Sequence, residues 1–116
     1  MRVCFDIDGT LSASPALCKL MCDLKAHGHK IVVLTGHHSA EITKADKKSK
    51  KADLTALGLK GAYDKLHVYP ETEVAQCKAD YCRKHDVPLM FDNSMRNASL
   101  APDSTTVVVP WHSIAA

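Results

Sequence analysis

Residues 2–11 read RVCFDIDGTL, and this stretch decides the fold. Its apolar, partly β-branched half predicts a buried strand over residues 3–7. Asp6 and Asp8 lie at the carboxyl end of that strand, where residues two apart point the same way. Gly9 then allows a sharp turn. Because two neighbouring carboxylates are costly to desolvate without a cation or a proton, we interpret the pair as part of a site; the alternative is a plain Asp-Gly turn.

Short apolar runs of the same kind recur along the chain, separated by helical segments. The predicted strands cover residues 3–7, 31–34, 66–69, 88–91 and 105–109. The predicted helices cover residues 15–27, 39–57, 73–85 and 95–100. This alternation predicts an α/β, three-layer, Rossmann-like domain whose five-stranded parallel sheet has the order 5-4-1-2-3. Ligands of such sheets bind beyond the carboxyl ends of the strands.

Length and composition limit the function classes. A chain of 116 residues that is 46% hydrophobic suits a single domain over residues 1–116. A net charge of +2 indicates no general affinity for nucleic acid or membrane. With no apolar run long enough for a membrane helix and no leader segment, we expect a cytoplasmic protein. Five cysteines without paired CxxC spacing indicate reduced thiols.

Three short motifs lie at the ends of predicted strands, in chain order. They are Asp6-x-Asp8-Gly9-Thr10-Leu11, Val33-Leu34-Thr35-Gly36 and Met90-Phe91-Asp92-Asn93. Together they resemble the motifs of the haloacid dehalogenase superfamily of phosphatases, over residues 2–97. The resemblance implies a hydrolase: a Mg²⁺-dependent phosphomonoester phosphatase that acts through an aspartyl-phosphate.

The resemblance also implies a role for each residue of the site. Asp6 is the expected nucleophile, and Asp8 is the expected general acid and base. Thr35 and Lys78 complete the expected catalytic set by holding the transferring phosphate. The expected substrate contacts are Gly9, Thr10, Thr35, Gly36, His37 and Lys78.

A magnesium site is expected beside the nucleophile, because Mg²⁺ prefers oxygen ligands. Its expected ligands are Asp6, the Asp8 backbone carbonyl, Asp92 and Asn93. The family commonly has a second acid where this chain has Asn93. An amide can accept a bond from a metal-bound water but brings no charge, so we expect a lower affinity for Mg²⁺.

Two lysines compete for the family's third motif. Val74, Cys77 and Tyr81 mark the inward stripe of the third helix, and Lys78 falls beside it. That helix starts at the active edge of the sheet, and a helical side chain leans back toward the helix start. Lys65 precedes the third strand, near the opposite end of the sheet. We therefore predict Lys78.

No segment is long enough for a cap domain, so we expect an open site for a small phosphorylated substrate, which a second copy of the chain could cover.

A run of lysines is predicted to form a solvated helix face, and comprises Lys44, Lys47, Lys48, Lys50 and Lys51. A less favoured alternative, which this run supports, is a phosphatase that acts on nucleic-acid ends or nucleotides. Asn93 favours another alternative, a catalytically weak, phosphate-binding regulatory domain. Trp111 and His112 are expected to pack at an edge.

Overall fold

The sheet is built around β1 (Arg2–Phe5), whose Val3, Cys4 and Phe5 are fully buried in the computed structural model, which describes residues 1–110. The other strands are β2 (Lys30–His37), β3 (Lys65–Pro70), β4 (Leu89–Phe91) and β5 (Thr106–Val108). All neighbouring strands pair in parallel, in the order β3-β2-β1-β4-β5. The predicted strand order is thereby confirmed.

Helices cover both faces of this sheet, as predicted. They are α1 (Pro15–Ala26), α2 (Lys44–Ala56), α3 (Val74–Lys84) and α4 (Met95–Leu100). On one face, Met21 of α1 and Leu54 of α2 pack against the alternate side chains of the central strands. On the other face, Cys82 of α3 packs against Cys4 and its neighbours. The result is the expected three-layer α/β domain.

The second helix begins later than the sequence predicted. Residues 39–43 are not helical, and α2 starts at a capping box in which Asp46 N donates to Thr43 Oγ1 over 3.2 Å and Thr43 N donates to Asp46 Oδ2 over 3.0 Å. A reciprocal box of this kind satisfies two amides at the helix start. The buried residues of α2 are Lys50 and Leu54.

The strand register brings the predicted motifs to one edge of the sheet. Phe5 is paired with Val33 of β2 and with Phe91 of β4. Asp6 and Asp92 therefore follow paired residues, and Asp6 N donates to the Phe91 carbonyl over 2.9 Å. The carboxyl ends of the three central strands thus meet at one place.

Within residues 1–110, no helix is both long and apolar enough to cross a membrane. All five cysteines are free, as expected. Trp111 and His112 lie outside the residues that the structure describes.

Candidate functional site

A cavity of about 690 Å³ opens at the carboxyl edge of the sheet. Asp6 and Asp8 enter it from the end of β1, and His37 enters it from the end of β2. Lys78 of α3 and Lys50 of α2 line it from the two helical layers. The cavity therefore includes part of the predicted site, whereas Gly9, Thr10, Thr35 and Asp92 do not line it.

Lys78 is the buried centre of this site. Its side chain is 1% exposed, and its ammonium donates to Asp6 Oδ1 over 3.0 Å and to Asp92 Oδ2 over 2.7 Å. Such an ion pair lowers the cost of burying each charge, and removing one partner leaves the other uncompensated. Lys65, the rejected alternative, is exposed at the start of β3.

The environment shifts the pKa of both Asp6 and Lys78. Burial raises the pKa of Asp6 to about 6, because desolvation disfavours the carboxylate; Lys78 opposes this rise and Asp92 adds to it. Burial lowers the pKa of Lys78, but the Asp6 and Asp92 carboxylates raise it by more, so its net shift is upward. Lys78 therefore remains charged at neutral pH.

Asp92 is fully buried and positions its neighbours. Its Oδ2 accepts from Lys78 and, over 2.9 Å, from Asn97 Nδ2. Its Oδ1 accepts from Ser94 N over 2.9 Å, at the start of α4. Both carboxylate oxygens therefore have protein donors, and the contact of Asp92 with a metal stays a prediction.

Asn93 faces two acceptors. When its amide nitrogen is turned toward them, it donates to Asp6 Oδ2 and to the Asp8 carbonyl over 3.1 Å each. In the opposite orientation, the amide oxygen takes that position, and three oxygens face one another. Neighbouring oxygens around Mg²⁺ lie about 3 Å apart, as follows from octahedral geometry at about 2.1 Å. Either a hydrogen-bonding amide or a shared cation therefore satisfies this arrangement.

Gly9 allows that arrangement to form. It has a φ of 75°, in the left-handed region, and a Cβ at this position would collide with the Asn93 amide. Thr10 follows it, fully buried, and donates its hydroxyl to Asp6 Oδ2 over 3.2 Å. The turn after β1 therefore holds both the Asp6 carboxylate and the Asp8 carbonyl in place.

The β2 contributions differ from one another. Thr35 is fully buried, does not line the cavity, and its hydroxyl has no hydrogen-bond partner among the described residues. Gly36 lines the cavity where α3 approaches closely, since a Cβ there would lie 3.2 Å from Val74 Cγ2. His37 lies at the rim, 3.0 Å from Ser39 Oγ, and stacks on His38 with ring centroids 4.2 Å apart.

Lys50 is the functional candidate that sequence reasoning missed. The lysine run was predicted to be solvated, but the Lys50 side chain is only 9% exposed and its ammonium donates to Asp8 Oδ2 over 2.9 Å. Its spacing of four residues from the buried Leu54 was the available signal, because such residues share a helix face.

The comparisons with known proteins give a fold and no family. No model of a known protein family matches the chain, and no curated protein matches it. Among solved structures, the chain is similar to the crystal structure of a universal stress protein in complex with cAMP. The TM-score is 0.53 at 12% identity, with 94% of this chain and 96% of that chain covered. At this identity, the similarity shows the fold alone.

This comparison overturns the identification drawn from the three motifs. The similar solved structure is a universal stress protein, and neither a family model nor a curated protein supports the phosphatase identification. The predictions of a haloacid dehalogenase relationship, of a hydrolytic enzyme and of a Mg²⁺-dependent phosphatase are therefore wrong. The motifs are short and lie where any parallel α/β sheet gathers polar residues, so they indicate a ligand site more securely than they indicate a reaction.

Proposed function

We propose that this chain is a binding domain for a small phosphorylated ligand, held together with Mg²⁺ at the carboxyl edge of the sheet. One observation carries the proposal: the two oxygens of the Asp6 carboxylate have different neighbours in one cavity. Oδ1 accepts from the buried Lys78 ammonium, whereas Oδ2 lies with the Asp8 carbonyl oxygen around the Asn93 amide. A cation site beside an anion site is suited to a metal-bound phosphate.

The charges of the cavity support a role for a cation. Among the described residues, the wall carries three carboxylates, Asp6, Asp8 and Glu71, and three lysine or arginine side chains, Lys50, Lys78 and Arg96, besides His37 and His38. Asp92, behind Lys78, adds a fourth carboxylate, so neutral histidines leave one negative charge in excess before a phosphate enters. Bound Mg²⁺ would offset this repulsion, with Asp6, the Asp8 carbonyl and Asn93 as the oxygens best arranged to hold it.

Lys78 links the two halves of the proposed site. Without a metal, its ammonium is shared between Asp6 and Asp92. When the charge of Asp6 is taken up by a cation, Lys78 keeps Asp92 and can direct another of its three N–H groups to a phosphate oxygen. We therefore expect phosphate and Mg²⁺ to strengthen each other's binding.

Calorimetric titration with AMP, cAMP and adenosine tests the proposal at neutral pH. The neighbour's complex with cAMP supports nucleotides as first probes. We expect AMP to bind in excess Mg²⁺, to bind about tenfold more weakly in EDTA, and to bind more tightly than cAMP, which has one charge fewer. Adenosine should give no binding heat.

Lys78→Met should abolish AMP binding, whereas Lys65→Met, at the exposed start of β3, should leave it intact. Absence of AMP binding to the unaltered chain in both buffers would overturn the proposal. Release of inorganic phosphate from AMP during the titration would also contradict a role limited to binding.

A further inference from the structure

Lys50 is buried where its neighbours on α2 are not. Its side chain is 9% exposed, and its ammonium points into the cavity toward Asp8. The flanking Lys48 and Lys51 are exposed to water. Because lysine normally extends its charge into solvent, the buried position of the Lys50 ammonium requires an explanation in its immediate surroundings.

The ion pair with Asp8 accounts for only part of this arrangement. The Asp8 side chain is 67% exposed and needs no buried partner. Within residues 1–110, Asp8 Oδ2 is the one hydrogen-bond acceptor for the Lys50 ammonium, which has three N–H donors. Lys50 can therefore donate to the oxygens of a ligand, either with its free N–H groups or by releasing this exposed carboxylate.

Lys50 and Lys78 approach the cavity from opposite layers. Lys78 belongs to α3 on one face of the sheet, and Lys50 belongs to α2 on the other. Each contacts a different carboxylate of the turn that follows β1: Lys78 contacts Asp6, and Lys50 contacts Asp8. A cavity of about 690 Å³ is within the usual range for whole small-molecule ligands and exceeds the needs of a single phosphate.

We infer that Lys50 binds a second anionic group of the same ligand, so that the cavity takes a ligand with two phosphates, such as a nucleoside diphosphate. The inference rests on the proposed function, because it assigns the first phosphate to Lys78. In this arrangement, the Asp8 carboxylate is a competitor of the second phosphate for Lys50.

Titration of AMP and of ADP at the same saturating free Mg²⁺ tests this inference, since the two probes differ by one phosphate. We expect the unaltered chain to bind ADP at least about tenfold more tightly than AMP, the usual size of one charge-assisted hydrogen bond. Lys50→Gln should bring the ratio of the two affinities close to one. Lys48→Gln, on the exposed side of α2, should leave the ratio unchanged.

Two further variants separate binding from folding. Lys50→Arg keeps the charge and should retain most of the preference for ADP, even where Lys50→Gln lowers stability. Asp8→Asn removes the competitor and keeps the backbone carbonyl, so it should raise the affinity for ADP severalfold. An ADP preference that is the same in Lys50→Gln and in the unaltered chain would overturn the inference. Failure of the unaltered chain to bind either probe would instead overturn the proposed function.

Discussion

Lys78 and Asp92 form a fully buried ion pair, with 2.7 Å between the ammonium and Oδ2, and side chains that are 1% and 0% exposed. Asp6 joins the pair from the central strand at 3.0 Å. Two carboxylates and one ammonium thus share a space that water barely reaches. Each charge depends on the others for its solvation, so the site and the stability of the fold are connected through this lysine.

Lys78→Met should destabilise the metal-free chain by about 3–5 kcal/mol, because it leaves two buried carboxylates without a cation to compensate their charge. Urea denaturation at neutral pH measures the change. Lys65→Met provides the matched control and should change the free energy of unfolding by less than about 0.5 kcal/mol. Equal, small effects of the two substitutions would show that the ion pair contributes little to the fold.

Gly9→Ala should destabilise the chain more than Gly28→Ala does. Both glycines have a positive φ, 75° and 87°, so alanine is strained by about 1–2 kcal/mol at either position. Only at Gly9 does the added methyl also collide with Asn93, whereas the space around Gly28 is open. Thermal unfolding of the two variants isolates this contact as the difference between them. A cost at Gly28 equal to that at Gly9 would mean that the Asn93 loop yields freely.

Asn93→Asp should tighten the binding of Mg²⁺, since it adds a negative charge next to Asp6 Oδ2 and the Asp8 carbonyl. At an effective dielectric near 20, and after desolvation is discounted, Coulomb attraction should add about 1 kcal/mol or more to the binding free energy of Mg²⁺. A gain of about 1 kcal/mol lowers the dissociation constant about fivefold. Titration with Mg²⁺ alone measures the gain.

The control for this comparison is Gln76→Glu, which adds the same charge on the exposed face of α3. It should leave the affinity for Mg²⁺ nearly unchanged, because solvent screens distant charges. An Asn93→Asp variant with unaltered or weaker affinity would remove Asn93 from the proposed metal site.

Asp64 should make the stability of the chain depend on pH. Its Oδ1 accepts from the Lys25 ammonium, and its Oδ2 accepts from Ile31 N over 2.8 Å. These two hydrogen bonds, the first more than the second, hold the pKa of Asp64 below its ordinary value of 3.8. A lowered pKa in the folded state gives stability that is present above pH 3.8 and is lost as the pH falls through the folded-state pKa. Asp64→Asn should therefore cost about 1 kcal/mol at neutral pH and less in acid.

Urea denaturation of Asp64→Asn over a series of pH values measures this dependence. Asp23→Asn is the control, because both side chains of the ion pair between Asp23 and Lys19 are exposed. That pair should contribute little to the free energy of unfolding at any pH. A cost for Asp64→Asn that persists unchanged below the folded-state pKa would mean that its charge plays no part.

The fold could be predicted because its signals are local. Each strand is a short apolar run, and the Asp6, Thr35 and Asp92 motifs mark three strand ends that a parallel sheet must bring to one edge. The place of Lys78 beside the predicted inward stripe was a sufficient signal, although the stripe was displaced: the buried residues of α3 are Ala75, Lys78, Ala79, Tyr81 and Cys82. The predicted start of α2 was too early, because the helix begins at the capping box of Thr43 with Asp46.

The chemistry of the site could not be predicted with the same security. Pairs of acidic residues and tight turns at strand ends occur in sites of many different functions, so the motifs do not distinguish binding from hydrolysis. The role of Lys50 depends on which face α2 turns to the sheet, and that helix has too few apolar residues for its sequence to indicate the buried face. The orientation of the Asn93 amide depends on contacts with Asp6 and Asp8 that only the folded chain brings together.

The place of Asp6 at the end of the central strand has a consequence for the motions of the site. Its amide is hydrogen-bonded to the Phe91 carbonyl, between two buried strands. The amide hydrogen should therefore exchange with solvent only when the whole domain unfolds. Asp8, three residues beyond the paired Phe5, carries a side chain that is 67% exposed and should move on a much faster timescale. The cavity therefore has one wall as rigid as the core and one wall that can adapt to what enters.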